Sequence, residues 1–172
     1  MKKLIIPNRF LNVDYDRDVL QSIKDYVDKF KETRKGLFLF GPAGTGKTYT
    51  AYAICKKIEE SGIQVMAIKA IDILQTIKKE INSDNETSFL DELNDFKGLL
   101  FIDDLGTEKG TEWVLETFYS ILDKKYEEMI PVIITSNCNL NELGEKMGDR
   151  FSSRIAQMCE VIAMVGEDRR LK

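Results

Sequence analysis

The sequence contains no histidine, and its three cysteines, Cys55, Cys138 and Cys159, are far apart along the chain. An odd number of cysteines without a CxxC pair argues against both a disulfide framework and a zinc site. Because histidine is absent, the usual ligands of transition metals are missing. Any general base must then be a carboxylate, a lysine, a tyrosine or water.

Long apolar runs are absent as well, since no stretch approaches the ~20 residues that a membrane-spanning helix needs. The first ten residues, MKKLIIPNRF, hold an apolar stretch of only three residues, which is too short for a signal peptide. We therefore expect a cytoplasmic protein with no membrane partner. The net charge of -4 argues against tight, non-specific DNA binding over the whole surface and leaves a local basic patch open.

The 172 residues, 43% hydrophobic and 31% charged, suit one compact α/β domain. Short apolar runs alternate with segments of helical periodicity, in which Ile71, Leu74 and Ile77 share one side of their helix. The predicted strands are residues 36–40, 64–68, 98–104, 132–137 and 159–165. The predicted helices are residues 16–30 (capped by Asp14 or Asp16), 47–60, 70–81, 88–96, 111–128, 139–147 and 149–156. This alternation predicts a parallel sheet of five strands covered by helices on both faces.

Residues 41–48, GPAGTGKT, follow the first predicted strand, open the next helix and match the pattern GxxxxGK[ST]. Glycines let the backbone turn tightly so that its N–H groups point at phosphate oxygens, and the helix N-terminus favours negative charge. We assign Lys47 to the β- and γ-phosphates of ATP or ADP and Thr48 to Mg²⁺. The expected phosphate-binding residues are Gly41, Pro42, Ala43, Gly44, Thr45, Gly46, Lys47, Thr48 and Tyr49.

An acidic pair, Asp103 and Asp104, ends the third predicted strand. Ligands of open α/β sheets bind at the carboxyl ends of the strands, and paired carboxylates there need a cation or polar partners. We assign Asp103 to Mg²⁺, directly or through water, and Asp104 to the attacking water. We expect this strand beside the phosphate-loop strand. A solvated turn at the strand end is the alternative interpretation.

Asn137 ends the fourth predicted strand, in PVIITSN. If that strand adjoins the phosphate-loop strand, the Asn137 amide can bind the γ-phosphate or the lytic water. The following residues also have turn chemistry, and both interpretations can hold together.

These elements, in this order and spacing, resemble those of the AAA+ ATPases. The closer resemblance is to bacterial replicative helicase loaders of the DnaC/DnaI type and to the related IstB transposition helper ATPases. It is carried by GPAGTGKT, LLFIDDLGTEKGTEW, PVIITSN and the tail DRFSSRIAQMCEVIAMVGEDRR, and it covers nearly the whole chain.

The resemblance implies a single AAA+ domain over residues 1–172, with the phosphate-loop strand central and no helical lid. Loaders usually carry an N-terminal domain that grips the helicase, and we expect this chain to depart from them by lacking it, because the ATPase core begins almost at Met1. It implies an ATP-dependent homo-oligomer in which a neighbour supplies an arginine in trans. Arg154 in SSRI is the first candidate and Arg150, one helical turn earlier, the second. The family also has a position called sensor 2 near its C-terminus. GEDRR resembles it, which makes Arg170 the first candidate for that position and Arg169 the second. The family's first conserved segment lies before the N-terminal helix. In this chain it makes four residues candidates for the adenine pocket: Ile6, Pro7, Arg9 and Phe10.

Two features bear on activity and partners. Many AAA+ enzymes have Asp-Glu at the acidic pair, whereas this chain has Asp-Asp, so we expect slow, partner-stimulated hydrolysis. The stretch equivalent to the family's single-stranded DNA-binding helices, residues 69–96, holds Lys69, Lys78 and Lys79, with Phe89 and Phe96 as its aromatics. A solvated face is the favoured interpretation of the lysine pair. Lys109 would touch DNA or a neighbouring subunit.

The sequence thus indicates an ATPase that acts in DNA replication as a loader of the replicative helicase, with single-stranded DNA as a further partner. The alternative is a nucleotide-gated binding module, or an IstB-like transposition helper, with little turnover. A small-molecule kinase is a third interpretation, against which PVIITSN and LLFIDDLGTEKGTEW count.

Overall fold

The computed structural model of the protein describes residues 4–80, 88–108 and 110–166. Five parallel strands form one sheet in the order β2-β3-β4-β1-β5. The strands are β1 (Gly36–Phe40), β2 (Val65–Lys69), β3 (Leu99–Leu105), β4 (Val132–Ser136) and β5 (Cys159–Ala163). The helices are α1 (Tyr15–Asp18), α2 (Gln21–Thr33), α3 (Lys47–Glu60), α4 (Ala70–Glu80), α5 (Phe89–Asp95), α6 (Glu112–Glu127), α7 (Leu140–Met147) and α8 (Asp149–Met158). The predicted fold class is therefore confirmed.

The inner strands are buried on both faces because helices cover the sheet on each side. Along β3, Leu100 and Ile102 face a core shared with α4 to α8, whereas Leu99 and Phe101 face a core shared with α2 and α3. This alternation has the two-residue period of a strand, and both faces are apolar, as in other parallel sheets. Among the described residues, no helix combines the length and the apolar character that crossing a bilayer requires.

The strand order corrects two expectations. The middle strand is β4, not the phosphate-loop strand β1, which is an inner strand between β4 and β5. The strand that carries the acidic pair, β3, consequently does not adjoin β1 as expected, because β4 lies between them. The predicted neighbourhood of β1 and β4 is confirmed, with Leu39 opposite Thr135.

Two details of the helices differ from the prediction. The helix predicted over residues 16–30 is interrupted, because Leu20 has an extended backbone (φ -62°, ψ 148°). The shorter α1 packs against α3, while α2 places Ile23 in the core, and one straight helix would not make both contacts. In α4, Leu74 and Ile77 are buried as predicted, but Ile73 is buried with them whereas Ile71 is exposed, because α4 packs against β3 through the face that holds Ile73.

Candidate nucleotide-binding site

The phosphate loop connects β1 to α3 through two glycines in left-handed conformations, Gly44 (φ 82°) and Gly46 (φ 94°). These backbone angles are the reason that the sequence needs glycine at both positions. Gly46 precedes the first turn of α3, which has no side-chain cap. Because the first N–H groups of a helix have no partner within it, this end of α3 is available to an anion such as phosphate.

The Lys47 ammonium lies against the loop itself. Its Nζ donates to the carbonyl oxygens of Gly41 and Pro42, each at 2.7 Å, and the side chain is largely buried. Thr45 Oγ1 also donates to the Pro42 carbonyl, at 3.0 Å. The lysine is therefore held at the loop, where an incoming phosphate would compete with main-chain carbonyls for its ammonium.

The base of the loop is fixed between two strand ends. The Gly41 N–H donates to the Ser136 carbonyl at 3.2 Å, and the Met164 N–H donates to the Phe40 carbonyl at 2.7 Å. Gly41 has φ 146°, and a Cβ at this position would lie 2.2 Å from the Met164 carbonyl oxygen. Only glycine fits so close to another backbone segment.

A side-chain contact joins the loop to the acidic strand end across the intervening strand. The Thr48 hydroxyl donates to Asp103 Oδ1 at 2.8 Å, and the Asp103 side chain is buried. The two residues that the sequence assigned to magnesium are therefore adjacent, even though β1, the strand before the loop, and β3 are not neighbours in the sheet. Helix α3 makes this possible because it packs against both β4 and β3.

Two aspartates of β3 lie opposite a single residue of β4. The register pairs Ile102 with Ile134 and then Leu105 with Ser136, so that Asp103 and Asp104 share Thr135 as their counterpart. Such a two-to-one arrangement is a β-bulge, and Asp104 takes the left-handed backbone (φ 60°) within it. The exposed Asp104 side chain accepts a hydrogen bond from Asn137 Nδ2 at 3.2 Å. The structure thus brings the predicted water-orienting pair, Asp104 and Asn137, together.

Thr135 is a member of the site that the sequence predictions did not include. Its hydroxyl donates to Asp103 Oδ1 at 2.6 Å and accepts the Asp104 N–H at 2.9 Å. The available signal was a hydroxyl residue at the carboxyl end of an otherwise apolar strand, next to the residue already selected.

The donors at the site suit Mg²⁺. A hydroxyl (Thr48) and a carboxylate (Asp103) are hard oxygen ligands, and magnesium in phosphate-transfer sites typically uses one or two carboxylates together with substrate phosphates and water. Within the described residues, no group of three or more His, Cys, Asp or Glu side chains is placed to hold a metal by itself. The hydroxyl and the carboxylate therefore fit a cation that also takes phosphate oxygens as ligands.

The arginine candidates lie apart from these residues. The Arg154 guanidinium on α8 forms an ion pair with Asp123 on α6 and lies over the Tyr126 ring, with Cζ 3.9 Å from the centroid. Arg150 and Arg154 both line a groove of about 510 Å³ between α6 and α8. Its lining residues are Tyr119, Asp149, Arg150, Ser153, Arg154 and Gln157. Arg154 thus has its partners on α6 rather than in the phosphate loop of its own chain.

The N-terminal segment packs on α3. Phe10 stacks on Tyr52, with ring centroids 4.9 Å apart, and the Tyr49 hydroxyl donates to the Asn12 carbonyl and accepts the Asp14 N–H. Burial raises the pKa of Tyr52 to about 12, and the nearby Asp103 carboxylate contributes in the same direction. Of the other adenine-pocket candidates, Ile6 is partly buried, whereas Pro7 and Arg9 are exposed.

The remaining candidates have no role that the structure tests. Lys109, Arg169 and Arg170 lie outside the described residues, as does part of the stretch 69–96. Lys78 Nζ lies 4.9 Å from the centroid of the Trp113 ring, a cation–π distance, and Lys79 is exposed. Phe89 packs against the core, and the Phe96 carbonyl accepts a hydrogen bond from buried Lys125 at 2.6 Å.

Comparisons with known proteins agree with this geometry. The chain is 29% identical over 169 residues to the replicative helicase loader DnaI of Bacillus subtilis, an alignment that covers 88% of this chain and 53% of DnaI. It is 27% identical over 158 residues to the insertion sequence IS232 putative ATP-binding protein of Bacillus thuringiensis subsp. berliner, covering 88% of this chain and 62% of that protein. The chain therefore spans only part of the length of the curated relatives it matches, about half in the case of DnaI.

Among solved structures, the crystal structure of the DnaC helicase loader superimposes with a TM-score of 0.81 at 27% identity, covering 92% of this chain and 100% of that chain. The model of the family described as IstB-like ATP binding protein matches residues 9–172. The chain therefore belongs to the IstB-like ATP binding protein family and has the P-loop fold of AAA+ ATP-binding proteins.

Proposed function

We propose that this protein binds ATP with Mg²⁺ at the phosphate loop and hydrolyses it slowly, as an ATPase of the helicase-loader type. The observation that carries the proposal is the 2.8 Å contact between Thr48 and Asp103, because it joins the phosphate loop to the acidic strand end. Neither residue would suffice alone, since the metal of a P-loop site is held by the loop hydroxyl and an aspartate together.

Each residue has a role that follows from its position. Lys47 exchanges the carbonyls of Gly41 and Pro42 for β- and γ-phosphate oxygens. Asp104, exposed and hydrogen-bonded to Asn137, orients a water whose oxygen attacks the γ-phosphorus as the bond to the β–γ bridging oxygen breaks and ADP leaves, while the proton that the water loses passes to the Asp104 carboxylate. Thr48 and Asp103 would hold Mg²⁺, which supplies neutralisation of the charge on the β- and γ-phosphates when it is bound.

Slow hydrolysis is supported by the surroundings and the length of the Asp104 side chain. The Asp104 carboxylate is already engaged by the Asn137 amide, and its side chain is one methylene shorter than the glutamate of many AAA+ enzymes. In the proposal, Arg154 of a neighbouring subunit stabilises the transferred phosphoryl group, so turnover depends on assembly. Arg150, in the same groove, is the second candidate. A replicative helicase is the proposed partner by analogy with the loader relatives, and single-stranded DNA is the further partner that the family resemblance implies.

A turnover assay tests this proposal directly. Phosphate release is measured for the wild type, Lys47→Ala and Asp104→Asn, beside the affinity for ATP. We expect Lys47→Ala to lose both binding and turnover, and Asp104→Asn to keep ATP affinity within about twofold while turnover falls on the order of a hundredfold or more. Unchanged turnover in either variant contradicts the mechanism.

The second candidate function is a nucleotide-gated binding module or transposition helper, which the ion pair of Arg154 with Asp123 favours. An arginine that stays paired within its own subunit cannot assist a neighbour, so nucleotide would then be bound without being turned over. High ATP affinity with no phosphate release at any protein concentration, with or without single-stranded DNA, identifies the module.

A further inference from the structure

Thr135 contacts both aspartates of the site at once. It is 1% exposed, and it is the single β4 residue opposite the two bulge residues Asp103 and Asp104. Its one hydroxyl proton is directed to Asp103 Oδ1, and its oxygen receives the Asp104 main-chain N–H. Both hydrogen-bonding functions of the hydroxyl are therefore used within the site.

The bulge explains why a hydroxyl is needed at this position. An extra residue in one strand leaves a backbone group without its ladder partner, and an unpaired N–H in a buried strand is unfavourable. The Thr135 hydroxyl takes the place of that missing acceptor for Asp104. The bond supports the left-handed backbone of Asp104, which aspartate tolerates better than most residues.

The same hydroxyl also orients the magnesium-binding carboxylate. Asp103 Oδ1 accepts from Thr135 on one side, at 2.6 Å, and from Thr48 on the other, at 2.8 Å. When the Thr48 hydroxyl turns to a cation, the bond from Thr135 is the contact that continues to hold this oxygen in place. Groups that orient metal ligands in this way affect metal affinity without touching the metal.

We propose that Thr135 is a positioning residue, whose hydroxyl couples the magnesium-binding Asp103 to the water-orienting Asp104 and makes nucleotide binding magnesium-dependent. The inference rests on the proposed ATP site, and it adds a residue that acts through both aspartates. Removal of the hydroxyl frees the Asp103 carboxylate to rotate and leaves the Asp104 N–H without an acceptor.

The test is a titration of the full chain with ATP that carries a fluorescent group on the ribose, at Mg²⁺ concentrations from zero, with EDTA, to saturation. In Thr135→Val, which keeps the shape and removes the hydroxyl, we expect the half-saturating Mg²⁺ concentration to rise roughly ten- to a hundredfold. Nucleotide affinity in EDTA should stay within about twofold of wild type, because the phosphate loop is intact. Thr135→Ser, which restores the hydroxyl, should return the Mg²⁺ dependence to near wild type.

Ser136→Ala is the matched control. Ser136 is the next residue of β4, equally buried, and its hydroxyl donates to the Leu105 carbonyl at 2.6 Å and accepts the Cys138 N–H at 3.0 Å without contacting either aspartate. A purely structural role for Thr135 predicts that both variants lose stability alike and that neither shifts the Mg²⁺ dependence. The positioning role predicts the shift in Thr135→Val alone.

The outcomes separate this inference from the proposed function. If wild type binds nucleotide with Mg²⁺ dependence and Thr135→Val behaves identically, the inference is overturned and the proposed function stands. If wild type does not bind ATP, both are overturned. Should Thr135→Val fail to fold, Thr135→Ala and Thr135→Ser decide the matter together: a raised Mg²⁺ requirement in Thr135→Ala with wild-type behaviour in Thr135→Ser supports the inference, and wild-type Mg²⁺ dependence in both contradicts it.

Discussion

Arg154 and Asp123 form an ion pair that joins α8 to α6, and the guanidinium lies over the ring of Tyr126. Arg154 and the second candidate, Arg150, line the same groove between α6 and α8. If Arg154 acts on the nucleotide of a neighbouring subunit, it must first leave Asp123, so the ion pair competes with assembly.

Release of Arg154 should therefore promote assembly. In Asp123→Asn, we expect ATP-dependent oligomers at about two- to tenfold lower protein concentration, because an ion pair that is still partly exposed to solvent has a modest interaction energy. Analytical ultracentrifugation with ATP measures this. Glu116→Gln, an exposed carboxylate on the same helix, is the control and should behave as wild type. Equal assembly in Asp123→Asn and wild type argues against the role of Arg154 in trans.

The backbone of Asp104 should make glycine more favourable than alanine at that position. At φ 60° a Cβ is disfavoured, so we expect Asp104→Gly to be more stable than Asp104→Ala by about 1 kcal/mol in urea unfolding. At Glu116, in the middle of α6, the order should be reversed by a similar amount, about 1 kcal/mol in favour of alanine. Alanine more stable than glycine at both positions would contradict the bulge geometry.

Gly41 should be required for the close approach of two backbones. Gly41→Ala places a methyl group 2.2 Å from the Met164 carbonyl, so we expect about 1–3 kcal/mol of destabilisation and weakened ATP binding. Gly62→Ala is the control, because Gly62 also has a left-handed backbone (φ 89°) but no atom within 4 Å of the added methyl. It should lose about 1 kcal/mol and keep ATP affinity. If Gly41→Ala and Gly62→Ala lose the same stability and ATP affinity, the requirement for glycine at position 41 comes from backbone strain rather than from the contact with Met164.

Buried Lys125 should make stability pH-dependent. It is fully buried, donates to the Asn94 and Phe96 carbonyls, and burial lowers its pKa to about 8. Between that value and the ordinary lysine pKa of about 10.4, the unfolded chain binds more protons at this residue than the folded chain does. The contribution of Lys125 to the free energy of unfolding therefore increases as pH rises through this range. Over this pH range, the lowered pKa of Lys125 changes the free energy of unfolding by about 3 kcal/mol at most.

The lysine contribution is isolated by comparing wild type with Lys125→Met from pH 7 to 10.5. The raised pKa values of the buried thiols Cys55 and Cys159 act in the opposite direction, because the unfolded thiols ionise first, but they are common to both proteins. The free energy of unfolding of wild type relative to Lys125→Met should increase over this range. Lys124→Met is the control: the hydrogen bond to Glu128 raises the pKa of Lys124, so the free energy of unfolding of wild type relative to this variant should not increase with pH. If the difference in the free energy of unfolding between wild type and Lys125→Met does not change with pH, the lowered pKa of Lys125 is contradicted.

Much of the site was predictable because its signals are local. The phosphate loop is a contiguous motif with a strand before it and a helix after it, and the acidic pair and Asn137 each end an apolar run. The carboxyl ends of parallel strands meet at one edge of a sheet, so these residues were expected together. The contact of Thr48 with Asp103 follows from that rule without knowledge of the strand order.

What the sequence did not predict depends on contacts between distant segments. The strand order places β4 between β1 and β3, and the register shift that sets two aspartates against Thr135 exists only when β3 and β4 pair. Likewise, nothing near Arg154 in the sequence indicates Asp123 as its partner, 31 residues away. The break at Leu20 lacks glycine or proline, so local propensity gave no sign of it.

The central claim is that Mg²⁺ and the nucleotide phosphates lie between the phosphate loop and Asp103. A crystal structure with a non-hydrolysable ATP analogue and Mn²⁺ in place of Mg²⁺ tests it most directly, since anomalous scattering locates the manganese. The account predicts a manganese peak beside Thr48 and Asp103, with the Lys47 ammonium moved from the carbonyls of Gly41 and Pro42 to the phosphates. Fully bound nucleotide with manganese elsewhere, or with Lys47 still on those carbonyls, would contradict it.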